Sequence, residues 1–127
     1  NFAVSHVSAK IIDQKGIIHA INVALERSLT KLGIQPEECF VYLDGGLHAP
    51  KEYVQETVIK GDQKVWQISA ASVVAKVLRD NKMVHYAKKY PDYGFDVHKG
   101  YGTQFHREQI QKKGMVDIHR KMWIKTC

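Results

Sequence analysis

The run Cys39-Phe40-Val41-Tyr42-Leu43, closed by Asp44-Gly45-Gly46, constrains the fold of this chain more than any other stretch. Apolar residues in unbroken succession, without polar alternation, predict a strand buried on both faces, the pattern of α/β sheets. In such sheets ligand-binding groups collect at the carboxyl ends of the strands. Asp44 stands in that place. It reads either as a turn former ahead of two glycines or as a carboxylate offered to a ligand.

The flanking segments supply partners for that strand. Phe2, Val4, His6 and Ser8 alternate with Ala3, Ser5 and Val7, which predicts a short strand at the start of the chain. A strand that begins so abruptly suggests neighbours upstream. Ile17, Ile21, Ala24, Leu25, Ser28 and Leu32 recur at helical spacing, and Gly33 is placed to end that helix, with Pro36 just beyond. After the apolar run, Glu56 to Lys60 predicts a second strand and Gly61-Asp62 a turn. Ser69 is placed to cap a long helix reaching about Lys89, with Ala70, Val73, Val74, Val77 and Val84 as its buried stripe. Tyr90-Pro91 stops it, because a residue before proline avoids the helical region. Thr103 caps a helix from Gln104 to Lys113 closed by Gly114, and a last helical stretch is expected from His119 to Trp123.

The net charge of +6 favours an anionic partner, nucleic acid first. No apolar run approaches the about 20 residues of a membrane span, so no membrane partner is expected. Cys39 and Cys127 match no metal or redox spacing, which fits a reduced, cytoplasmic protein. The histidines show no zinc pattern and read mostly as surface or packing residues. A helix opening on Ser69 and Ser72 either caps itself or presents backbone N–H groups to an anion. The loop that follows the long helix favours the second alternative. There His98 and Lys99 can meet phosphates, Gly100 and Gly102 let the backbone come close, and Tyr101 can stack on a base or sugar or meet a 2′-hydroxyl. Asp44 and Asp62 are the acids at strand-end or turn positions beside this loop. Carboxylates next to a phosphodiester point to Mg²⁺ or Mn²⁺, since hard cations prefer oxygen. Two-ion hydrolysis uses one ion to activate water and the other to stabilise the leaving oxygen, and two acids are few for that task.

These residues resemble those of bacterial ribonuclease HII. The resemblance rests on Lys60-Gly61-Asp62, on Ile68-Ser69-Ala70-Ala71-Ser72-Val73-Val74-Ala75-Lys76-Val77, on Arg79-Asp80, and on Tyr90-Pro91-x-Tyr93-Gly94-Phe95-x-x-His98-Lys99-Gly100-Tyr101-Gly102-Thr103. Ile12-Asp13, Leu43-Asp44-Gly45 and His119-Arg120 match as well, so the likeness covers nearly the whole chain. It implies a ribonuclease H-like α/β fold, a mixed central sheet flanked by helices with a C-terminal helical portion, in one partial domain over residues 1–127. It implies endonucleolytic cleavage of RNA in RNA–DNA hybrids, and at single ribonucleotides embedded in duplex DNA, by acids that hold Mg²⁺ or Mn²⁺. Asp44 and Asp62 match the third and fourth acids of that family's site. Tyr101 matches the tyrosine at the ribose-to-deoxyribose junction, and Ser69 and Ser72 fall in the segment near the nucleic-acid backbone.

The chain also departs from the family pattern. The family's first two acids lie in an Asp-Glu-x-Gly-Arg-Gly stretch on the first strand, and no such stretch is present here. Lys121-Met122-Trp123-Ile124 stands where Arg-Ser-Phe is usual. The expectation is therefore a fold incomplete at its N-terminus, contributing part of a site and inactive alone. An open sheet edge and bare apolar surface would favour self-association, whereas the complete enzyme would be a monomer. Two competing expectations are a noncatalytic hybrid- or duplex-binding fragment, and the related ribonuclease HIII.

Overall fold

A computed structural model of the chain describes residues 1–124. They divide into two units, the first Asn1–Val73 and the second beginning at Val74.

In the first unit, Ser8 accepts a hydrogen bond from the Ile11 amide and starts helix α1, Ala9–Lys15. Gly16 ends α1 and begins α2, Ile17–Leu32. Its amide donates to Ile12 O at 2.8 Å while its own carbonyl accepts from the Ala20 amide at 3.2 Å. One residue thus serves two helices, with φ at 85° where a side chain would strain the backbone. Gly33 closes α2 in the left-handed conformation, as its sequence position predicts. The residues before Ser8 form no strand, against the alternation of Phe2, Val4, His6 and Ser8. A strand needs a neighbour for its N–H and C=O groups. Here the Val4 carbonyl is instead taken by the Lys31 ammonium at 2.8 Å, and Phe2 is exposed.

A 3-10 turn, Pro36–Glu38, leads into β1, Phe40–Asp44, which pairs in parallel with β2, Val54–Val58. Phe40 faces Val54 and Asp44 faces Val58 in the register. β2 lies two positions earlier than the Glu56–Lys60 expectation. Parallel strands joined by a short loop leave that loop's backbone groups to be satisfied by side chains. Gln55 does this, accepting from the Ala49 amide at 2.7 Å and donating to the Ala49 carbonyl at 3.1 Å. Thr57 donates to Leu47 O at 3.0 Å. The α/β class holds, with a sheet of two parallel strands among the described residues. The burial expected on both faces of β1 does not hold: Leu43 is buried, but Phe40 and Tyr42 are 47% and 39% exposed. Their rings lie against each other at 4.8 Å.

After β2, Lys60 turns the chain in the left-handed conformation into a single helical turn, α3, Gly61–Lys64. Helix α4, Trp66–Lys89, begins in the first unit and continues into the second. Its start precedes the expected cap: the Ser69 amide already donates to Val65 O at 3.1 Å, inside the helix. The stripe predicted to be buried is mostly bare, with Ala70, Val73, Val77 and Val84 exposed and Val74 half-buried, while Ile68 is the buried residue. Apolar periodicity tells which residues share a helix face, not whether that face has a partner.

The second unit is built around Phe95, 1% exposed. A 3-10 turn, Pro91–Tyr93, follows α4, then α5, Phe95–His98, α6, Gln104–Lys113, and α7, Lys121–Ile124. α6 has the predicted bounds, with the Thr103 side chain accepting from the His106 amide, while the last helix begins two residues later than expected. Tyr93 stacks on Phe95 at 5.6 Å, and its hydroxyl donates to Gly114 O at 2.9 Å. Truncation of Phe95 to alanine should cost about 3–5 kcal/mol by urea unfolding, as for other fully buried rings. Phe40→Ala on the bare sheet face should cost far less. Equal losses would show that the Phe95 cluster does not hold this unit.

Candidate functional site

In the first unit Asp44 ends β1 and is tied to the start of the helical turn that carries Asp62. Asp44 Oδ1 accepts a hydrogen bond from the Gly61 amide at 2.7 Å, so the strand-end carboxylate is fixed to the residue just before Asp62. Gly61 is itself buried. A Cβ there would lie 2.5 Å from Ile68 Cδ1 and 3.4 Å from Asp44 Oδ1. Ile68 is buried and has little room to give, so the position demands glycine. Asp44 is half-buried; Asp62 is exposed in the first turn of α3. Asp62 and Ser69 line a groove of about 460 Å³ together with Gln63, Lys64, Val65 and Trp66. Ser72 is exposed beside it on α4, and its hydroxyl donates to Ser69 O at 2.8 Å. Of the residues picked out from the sequence, Asp44, Asp62 and Ser69 are thus drawn to one region.

In the second unit the loop between α5 and α6 carries Lys99, Gly100 and Tyr101. Tyr101 is 61% exposed, with the Arg79 guanidinium 5.0 Å from its ring centroid. Arg79 also donates to Lys99 O at 3.0 Å, and Lys76 pairs with Asp80 at 2.8 Å. The Lys76–Asp80 bond lowers the Asp80 carboxyl below its usual range and raises the Lys76 ammonium. Gly100, at φ 83°, holds a backbone conformation that a side chain would strain, and a Cβ there would approach Met83 Cε to 3.1 Å. The Lys99 ammonium donates to Asp96 O, which spends one of its three hydrogens and leaves two for an anion. Tyr101 therefore stands out of the loop as an aromatic face backed by a cation.

His98 is placed differently from its expected role at a phosphate. It is 7% exposed, its Nδ1 accepts from the Gly100 amide at 3.1 Å, and its Nε2 lies 2.6 Å from Tyr93 O. In the neutral ring Nε2 then carries the hydrogen and donates to that carbonyl. Both nitrogens serve the loop's own backbone. His106 and His119, which sequence reasoning passed over, are buried beside it, and His106 stacks on His98 at 4.3 Å. Their signal in the sequence was faint: lone histidines at α6 and in the turn before α7, read as surface or packing groups. Arg79 was missed as well; its spacing of three from Lys76 and four from Met83 puts it on the helix face beside the loop.

The family model for ribonuclease HII matches residues 1–126. The chain belongs to the ribonuclease HII family. Among similar proteins, each bearing the name ribonuclease HII, one from Coxiella burnetii is 42% identical over 120 residues, covering 94% of this chain and 58% of the relative. One from Natranaerobius thermophilus is 44% identical over 123 residues, covering 96% and 61%. One from Chloroherpeton thalassium is 39% identical, covering 100% and 62%. This chain thus spans about three-fifths of the length of those relatives.

The donor set of the ribonuclease HII chain can be tested against a metal. Among the described residues no group of three or more histidine, cysteine, aspartate or glutamate side chains is arranged to hold an ion, and the histidine cluster is no exception. Asp44 and Asp62 remain as hard oxygen donors, with Asp44 Oδ2 outside the Gly61 hydrogen bond. That set suits a cation that keeps most of its waters, such as Mg²⁺, and not a fully enclosed ion.

Substitutions at Asp44 should separate its structural part from its charge. Asp44→Asn keeps an oxygen for the Gly61 amide and should change urea stability by less than about 0.5 kcal/mol. Asp44→Ala leaves that amide unsatisfied and should cost about 1–3 kcal/mol. Gly61→Ala should cost a similar amount by crowding Ile68. Equal stability of the alanine and asparagine variants would mean that the Gly61 contact holds nothing.

Proposed function

We propose that this chain carries part of the active site of an endoribonuclease that hydrolyses RNA in RNA–DNA hybrids and at single ribonucleotides embedded in duplex DNA. The observation that carries this reading is the Gly61 amide bound to Asp44, which ties the strand-end carboxylate to the turn that carries Asp62. The family match supports the reaction class, and the net charge of +6 supports a polyanionic substrate.

Asp44 and Asp62 are the residues that would hold Mg²⁺ or Mn²⁺, and such an ion supplies neutralisation of the charge that develops on the phosphodiester. The fixed Asp44 carboxylate contributes preorganisation, since its position is set before any ligand arrives. Ser69, on the groove that Asp62 lines, and Ser72, whose hydroxyl donates to Ser69 O, would contact the sugar–phosphate backbone. Lys99 supplies charge attraction common to all duplexes, and Gly100 lets a strand approach the main chain. Tyr101 supplies the aromatic face that meets the sugar or base at the ribose-to-deoxyribose junction. His98 shapes the loop from beneath.

A second reading is a segment that binds hybrid or duplex without cleaving it. It is favoured by the absence of a third metal-binding side chain near Asp44 and Asp62 among the described residues. In either case this chain alone is expected to be inactive, since two carboxylates cannot fix two ions at a set spacing. The complete enzyme acts as a cytoplasmic monomer in this proposal, whereas the chain alone self-associates through its bare sheet face.

In the complete enzyme, Asp44→Asn and Asp62→Asn should abolish Mg²⁺-dependent cleavage of a labelled duplex with one ribonucleotide while leaving hybrid binding in place. Near-normal turnover in both would remove these acids from the site. Tyr101→Ala should weaken the preference for the ribonucleotide-containing duplex, with a loss on the order of 1–3 kcal/mol, the scale of one aromatic–base stack. Lys99→Ala should weaken all duplexes alike and flatten the salt dependence. Affinity lost equally for plain DNA in Tyr101→Ala would sink the junction role.

A further inference from the structure

His106 and His119 are buried in the second unit and take no part in the chemistry proposed above, yet their hydrogen bonds run in one direction toward Tyr101. The Val116 amide donates to His119 Nδ1 at 2.9 Å, which makes that nitrogen an acceptor. The hydrogen of the neutral His119 ring is then on Nε2, 2.9 Å from His106 Nε2. His106 accepts there and carries its own hydrogen on Nδ1, which donates to the Tyr101 carbonyl at 2.9 Å. The same carbonyl also accepts from the Thr103 amide at 2.9 Å, so His106 and Thr103 hold it together. The other side of Tyr101 is held as well, since its amide donates to His98 O at 2.9 Å. The tyrosine thus has both backbone groups pinned while its ring projects outward over Arg79.

We propose that His106 and His119 are positioning residues for Tyr101: their neutral relay fixes the Tyr101 carbonyl and with it the direction in which the ring leaves the loop. The relay tolerates no added proton. A proton on His119 sets Nδ1–H against the Val116 amide. A proton on His106 sets two Nε2–H groups against each other, and a tautomer shift of His119 only moves the conflict to Val116. The titratable groups that face the pair are Tyr93 from the 3-10 turn, 5.4 Å from the His119 ring, His98 from α5, and each other. Burial first, and His106 second, push the His119 imidazole below its ordinary 6.5, against the raising effect of the Val116 backbone. Burial likewise lowers His106, against the raising effect of the Tyr101 carbonyl. Both folded-state values lie below the unfolded one. The relay therefore contributes fully above the ordinary histidine range and is lost as pH falls through the depressed values.

The consequence for substrate rests on the junction role proposed for Tyr101, so the experiment has two arms. In the first, ¹⁵N NMR of the whole chain follows the imidazoles and the Tyr101 and Thr103 amides from about pH 8 to about pH 5. The expected result is Nδ1–H on His106, Nε2–H on His119, and loop amides that move together with the two rings on acidification. Either ring in the opposite tautomer, or loop amides that ignore its titration, overturns the relay. In the second arm, binding to a duplex with one ribonucleotide is compared with binding to plain DNA. His106→Phe keeps the stack but loses both hydrogen bonds, and should lower the preference about tenfold, whereas His106→Asn restores the bond to Tyr101 and much of the preference. Should His106→Phe unfold, His119→Phe, which leaves the His106–Tyr101 bond without its backing, is read in the same way. A wild-type chain that shows the relay but no preference overturns the junction role and leaves the relay standing. A preference unchanged in both folded phenylalanine variants overturns the positioning role.

Discussion

The hydrogen bond from the Gly61 amide to Asp44 Oδ1 sets the geometry on which the first unit depends. It joins the last residue of β1 to the first of α3, 17 positions on, at 2.7 Å. The parallel pairing of β1 and β2 brings the two chain segments side by side, with Asp44 opposite Val58. The carboxylate then reaches across the end of the sheet to the turn that β2 enters. A Cβ at the crossing would come within 2.5 Å of Ile68 Cδ1, so a side chain there would force the buried Ile68 to shift. A single contact therefore links the end of the strand to the start of the next helical turn.

The second unit solves a different problem, that of building a core from few aliphatic residues. Phe95 is surrounded by Tyr90, Tyr93, His98, His106 and His119. Each tyrosine or histidine ring brings area like phenylalanine but also polar atoms that must find partners. Tyr93 finds Gly114, His98 finds Tyr93 and Gly100, and the other two histidines find each other and the main chain. A buried polar network satisfied this fully gives a single arrangement, since any rotated ring strands a donor or an acceptor. The loop that carries Tyr101 is defined by that network rather than by contacts of its own.

What the sequence disclosed followed from the range of each interaction. Helices α2 and α6 were legible because their caps, Gly33, Thr103 and Gly114, are local signals. The strand at Phe40–Asp44 was legible from its apolar run, and the place of Asp44 at its end followed. The first residues misled, since Phe2, Val4, His6 and Ser8 alternate like a strand but have a lysine for a partner instead of a neighbouring strand. Ser69 misled for a similar reason: a good capping residue was read as the cap, whereas α4 starts three residues earlier at Trp66. The pairing of His106 with His119 joins residues 13 apart with no spacing rule to announce it, and the burial of His98 depends on how the loop folds Tyr93, Phe95 and His106 around it. Family likeness picked out Tyr101, but only the coordinates show what stands behind it.

Two lysines add a further point. Lys60 and Lys99 are the non-glycine residues with positive φ among those described, at 54° and 50°. A side-chain-bearing residue in the left-handed region costs roughly 1–2 kcal/mol relative to its usual conformations, and glycine would escape that cost. Folding alone thus argues for glycine at both positions. One of these lysines stands two residues before Asp62 and the other two residues before Tyr101, so each strained ammonium flanks a group assigned to substrate or metal. A glycine at either bend would relax the backbone but take away an ammonium beside those groups, so stability and charge pull in opposite directions there.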